Sequence, residues 1–149
     1  MCDAGGRENA DTGYARRAMD YNLAMQDPIY FRVEPHGPAK RKLVRIVRTT
    51  TPMPERTTEV RAAFASLLPQ LSPYFGGRAL LDLRLGPGRN DPEFEAATKE
   101  LRVEILRRFT RVAIVVRSAV GVLHVKRLSQ GESEIFLDED EALRHLTQP

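Results

Sequence analysis

The chain has 149 residues, enough for one domain. Hydrophobic residues make up 42% and charged residues 29%, an ordinary globular balance that excludes collagen-like, mucin-like and wholly disordered classes. The formal net charge is only +3, and a single cysteine, Cys2, excludes an internal disulfide framework and a cysteine-based zinc cluster.

Apolar runs such as residues 112–116 fall far short of the roughly 20 residues a bilayer requires. No basic start leads into a continuous apolar stretch, so neither a signal peptide nor a transmembrane segment is expected. The expectation is a cytoplasmic domain. Basic residues cluster at Arg32, Lys40, Arg41, Lys42, Arg45 and Arg48, and again at Arg107, Arg108, Arg111 and Arg117. The C-terminal end is acidic, from Glu132 and Glu134 through Asp138, Glu139, Asp140 and Glu141. There is no tryptophan, and few aromatic residues lie beside the arginines, so nucleic acid is not an expected partner. These charges are expected to form a solvated surface.

Residues 1–27 read as a flexible N-terminal extension, rich in Gly, Asp, Asn, Ala and Arg and ending at Asp27-Pro28. Within it Tyr14, Ala18, Tyr21 and Met25 recur at helical spacing. An isolated helix so short is marginal in water and needs its own domain or a partner to pack on.

The domain itself is expected over residues 28–149. Residues 29–34 are rich in β-formers, and His36-Gly37-Pro38 supplies a turn. Leu43, Ile46 and Val47 mark a second strand, giving an antiparallel hairpin. Pro52 and Pro54 are expected to open a helix, with Val60, Ala63, Phe64, Leu67, Leu68 and Leu71 on one face. Pro69 weakens its last turn, and Gly76-Gly77 closes it.

A third strand is expected over residues 79–85, followed by a loop at 86–90. Asp91-Pro92-Glu93 is a helix start, with Asp as N-cap and proline in the first turn. Phe94, Ala97, Leu101, Ile105 and Phe109 form that helix's apolar stripe. The uninterrupted run 112–116 implies a strand buried on both faces. Ser118 caps a third helix reaching Leu128, although residues 122–125 also read as strand. A last strand covers 134–137, and Asp138 with Glu141 forms a capping box for a final helix. The fold class is therefore α/β. A single domain is expected, with a mostly parallel mixed sheet of about five strands and about four helices.

The strand Leu81-Asp82-Leu83-Arg84, the loop and helix after it, the strand 111–116, and Glu134-Ile135-Phe136-Leu137-Asp138 before Glu141-Ala142-Leu143 resemble the SpoIIAA-like branch of the STAS fold. The resemblance covers roughly residues 29–147. It implies a non-catalytic domain that binds a protein, a lipid or another small ligand. Some relatives in that family are switched by phosphorylation of a serine in the loop after the third strand. That loop usually reads Asp-Ser-Ser-Gly, whereas here it is Asn90-Asp91-Pro92-Glu93, with Asp91 near the phosphoserine position. The serine switch is therefore not carried over. Two readings of Asp91 stand side by side: a helix N-cap, and a permanent charge that partly imitates phosphoserine.

Gly86-Pro87-Gly88 lacks the third glycine of a dinucleotide loop, and there is no Walker lysine, so no nucleotide cofactor is expected. His36, His124 and His145 are not at metal-ligand spacing. No serine sits in a nucleophile elbow, and Asp82 is expected to hydrogen-bond neighbouring backbone rather than to pair with Glu93 in acid–base work. Ligands of open α/β sheets bind beyond the carboxyl ends of the strands. That edge gathers Arg84, Arg89, Asn90, Asp91, Arg117 and Ser118 as the candidate partner-binding residues.

The function expected from this is a non-enzymatic regulatory or scaffolding module. It binds a protein through the loop after the third strand and the following helix. On that reading, alanine at Arg89 and Asn90 weakens binding and leaves thermal stability nearly unchanged. The alternative is a small-molecule or lipid carrier with a cleft between helix and sheet.

Overall fold

The computed structural model describes residues 29–89, 91–129 and 133–149. The expected N-terminal extension, with Tyr14, Ala18, Tyr21 and Met25, lies outside them, as does Asn90. The described residues form an α/β domain around a five-stranded sheet, in agreement with the expected class. Among them no helix is long and apolar enough to cross a membrane.

The strands are β1 (Phe31–Pro35), β2 (Leu43–Arg48), β3 (Arg78–Asp82), β4 (Arg111–Val115) and β5 (Glu134–Phe136). β1 pairs antiparallel with β2, and the other neighbours pair in parallel. Pro35 has no N–H to give a ladder, which suits it to the edge strand it ends. Gly77 permits the approach of β3 to the turn before β2, since a Cβ there would stand 2.0 Å from the Lys42 carbonyl oxygen.

The helices are α1 (Thr57–Ala65, continued as Leu67–Leu71), α2 (Pro92–Leu106), α3 (Ala119–Ser129) and α4 (Glu139–Thr147). The first helix departs from expectation at both ends. It begins after Pro52 and Pro54 rather than at them, because each proline holds the residue before it extended. It then breaks at Ser66, three residues before Pro69. A proline there removes the N–H that would bond the Ala65 carbonyl, and its ring crowds that carbonyl. α2 starts as expected: Asp91 is its N-cap and accepts from the Phe94 N–H at 2.8 Å, with Pro92 in the first turn. Asp138 caps α4 through the Asp140 N–H at 2.9 Å, not through a reciprocal box with Glu141.

The strand order is sequential, β1-β2-β3-β4-β5. Parallel strands are joined by right-handed crossovers, so a sheet wound in one direction keeps every crossover helix on the same face. The core agrees. Val44, Ile46 and Ala79 pack under α1 and α2, and Ile114 and Val116 meet Val125 of α3. The alternate residues Leu43, Leu80, Ala113 and Val115 face the other way, onto Ala142 and Leu146 of the terminal helix α4. α4 lies close against β3, β4 and β5, and Arg111 at the start of β4 donates to the carbonyls of His145 and Gln148 at 2.8 and 2.9 Å. Cations at a helix C-terminus complement its dipole. α2 packs closely on α1, but neither α2 nor α3 approaches β4 as α4 does.

Candidate functional site

Among the described residues the strand order never reverses, so they form no switch-point crevice of the doubly wound kind. The expected edge residues instead divide between two places.

The first is on the α4 face. Asp82 ends β3 and is 2% exposed, whereas Glu93 is exposed in the first turn of α2. The Asp82 side chain accepts the Arg84 N–H at 3.1 Å, the backbone contact expected of it, and also binds two guanidinium groups. Arg84 takes both carboxylate oxygens at 2.9 and 2.8 Å, and Arg45 donates to Oδ2 at 2.7 Å. Glu139, in the first turn of α4, joins Arg84 at 2.7 Å and Arg45 at 3.0 Å. Glu34, directly opposite Arg45 across the β1–β2 ladder, adds a contact at 3.2 Å. Burial pushes the Asp82 carboxyl up, but the hydrogen bonds and charge of Arg84, with the charge of Arg45, hold it below the usual carboxylate range. The hydrogen bonds it donates to Asp82 raise the Arg84 guanidinium above its ordinary value, with Glu139 adding to the effect. Arg45, Arg84 and Glu139, each partly exposed, are therefore tied into the fold through Asp82 and one another.

The second place is the loop before α2. Arg89 pairs with Asp91, donates to the Pro54 carbonyl at 2.7 Å, and lies 4.7 Å from the Phe94 ring centre. The hydrogen bond from Arg89 and that from the Phe94 N–H both lower the Asp91 carboxyl. Asp91 is thus the N-cap it was expected to be, with its charge already answered by Arg89. Arg117 and Ser118 are exposed after β4, where the Ser118 hydroxyl accepts the Gly121 N–H at 3.3 Å.

A connected space of about 1320 Å³ runs from Phe31 and Met53 between the sheet and its stand-off helices and on to Glu134 and His145. That is above the ~300–1,000 Å³ typical of small-ligand pockets. Its floor is Leu81 of β3 above the nearly covered Ile46 of β2, Ile114 of β4 and Val116 just past it; Leu106 of α2 and Leu128 of α3 form the walls. Val103 and Val120 are 50% and 75% exposed at its mouth. Arg127 on α3 reaches Glu95 on α2 at 2.8 Å, an exposed ion pair joining the two helices. Arg84, Arg89, Arg117 and Ser118 all touch the rim, whereas Asp91 does not line it.

The sequence matches no protein-family model and no curated protein.

Two groove residues escaped the sequence reading. Arg48, expected among the solvated charges, is 7% exposed beside Ile46 on the groove face of β2. Its place on the buried face follows from the alternation Val44, Ile46, Arg48, a signal the sequence does carry. Arg102 of α2 is half-buried, and burial lowers its guanidinium against the opposing charge of Glu95. Among the described residues, no three His, Cys, Asp or Glu side chains gather as a metal site would require.

Proposed function

We propose that this chain is a non-catalytic binding domain that takes a small apolar molecule or lipid in the groove between its sheet and the helices α2 and α3. The observation that carries this is the groove itself, large, floored by aliphatic side chains and open past Val103 and Val120. The resemblance to SpoIIAA-like STAS domains supports the non-catalytic part of the reading, and the single cysteine supports a cytoplasmic setting. The test is titration with Nile red, an uncharged apolar dye. Binding is expected at micromolar concentration, weakened about fivefold or more in Val120→Glu, whose charge stands at the mouth on an exposed residue. No dye binding, or equal binding by that variant, defeats the proposal.

A second reading is a regulatory module that binds a protein through residues 86–91 and α2. Leu85, 51% exposed where that loop begins, favours it. A partner retained by the intact chain and lost on Leu85→Asp would support this reading. Equal retention would remove the loop from it.

A further inference from the structure

Of the arginines that line the groove, Arg84, Arg89 and Arg107 each have a carboxylate partner, Arg111 donates to the carbonyls of His145 and Gln148, Arg117 stands in solvent, and Arg102 is half-buried on α2 within the field of Glu95. Arg48 differs. It ends β2 on the groove face, 7% exposed, with its guanidinium 5.6 Å from the Phe31 ring centre. Its Nη1 donates to the carbonyl oxygens of Tyr30 and Thr49 at 3.1 and 2.9 Å. Among the described residues no carboxylate forms an ion pair with it, Glu55 on the same groove included. A buried charge without a counter-charge is unfavourable, and a guanidinium does not escape by losing its proton. Two carbonyl dipoles and a ring face offset only part of that.

The remaining donors define what would complete the site. Nε and Nη2 make no hydrogen bond to a described residue. Side by side, they are the two parallel donors that fit the two oxygens of one carboxylate. Beyond Arg48 the groove is lined by the partly exposed aliphatic side chains Leu81, Leu106 and Leu128. We infer that the groove's ligand is a long-chain carboxylate, its head bound by the Nε–Nη2 edge of Arg48 and its chain laid along Leu81, Leu106 and Leu128 toward α3. This rests on the small-ligand reading above and specifies the chemistry of its ligand. The charge favours a monoanion, because one guanidinium faces the head and the nearby Arg84 and Arg89 are already neutralised.

The experiment is calorimetric titration of the full chain with dodecanoate, dodecanol and acetate. Dodecanoate is expected to bind tighter than dodecanol by about tenfold or more, equivalent to about 1.4 kcal/mol, with no measurable acetate binding. Arg48→Gln is expected to bring dodecanoate down to the affinity of dodecanol, and Arg48→Lys to keep part of the preference. Equal binding of dodecanoate and dodecanol by the wild type overturns the head-group inference while leaving the groove reading in place. Binding of neither overturns both. Preference retained in a folded Arg48→Gln assigns the head to another residue and overturns the role of Arg48. The wild-type comparison decides the inference even where a variant fails to fold.

Discussion

Arg84 turns back on Asp82, two residues earlier in the chain, and takes both of its carboxylate oxygens, Nε to Oδ1 at 2.9 Å and Nη2 to Oδ2 at 2.8 Å. The carboxylate is nearly inaccessible, so it holds the end of β3 to Arg45 on β2 and, through the shared cations, to Glu139 at the start of α4. Asp82→Asn leaves two guanidinium groups around an uncharged amide. Breaking a buried pair from one side costs about 3–5 kcal/mol, and partial exposure of both arginines places this case at about 3 kcal/mol. Urea unfolding at neutral pH checks it.

The same carboxylate sets a pH dependence. Its value in the folded chain lies below its ordinary one, so its contribution to stability is present above the unfolded carboxylate value of about 3.9. That contribution is lost as pH falls through the folded value. Unfolding free energies measured from pH 5 to pH 2 are expected to fall less steeply in Asp82→Asn than in the wild type. Parallel slopes would show that Asp82 titrates normally.

Gly86 lies against the stem of Arg48, and a Cβ there would stand 2.4 Å from the Arg48 Cγ. Gly86→Ala is expected to displace Arg48, with an overpacking cost of about 1–3 kcal/mol. It should also reduce the preference for dodecanoate over dodecanol. A loss of stability with the preference intact would separate the loop from the head-group site.

Arg89 is an anchor of its own loop, through Asp91, the Pro54 carbonyl and the Phe94 ring. Arg89→Ala, alone or with Asn90→Ala, is therefore expected to lower stability by about 1–2 kcal/mol rather than leave it unchanged. Asp91→Ala removes the N-cap of α2 at a cost of about 1 kcal/mol. The residues touch, so the Arg89/Asp91 double variant should cost less than the two singles combined. Thermal melts of the three variants decide this.

α4 follows β5 in the chain, and Leu146, fully buried among Leu43, Leu80, Ala113 and Val115, fixes its far end. Leu146→Ala is expected to cost about 3–4 kcal/mol, within the range for buried leucines. Hydrogen exchange should show α4 amides losing protection before those of β3 and β4.

Local signals in the chain were sufficient for the α/β class, the hairpin, the four helical segments and the caps at Asp91 and Asp138. Each depends on residues within one turn or one strand, where proline geometry, N-cap bonding and side-chain periodicity act directly. The doubly buried β4 was legible too, because a strand covered on both faces has no polar alternation. What tertiary structure alone decided were the meetings between distant segments. Arg45 reaches Asp82 across 37 residues and Glu139 across 94, and no local pattern distinguishes such arginines from solvated ones. The groove likewise exists because successive crossovers in one direction put α2 and α3 on the same face, where they stand off from β4. Sequence periodicity sets which side of a helix is apolar. The distance between two packed layers is set by the side chains of both together, and that left Arg48 buried on the wall of a space no single segment encodes.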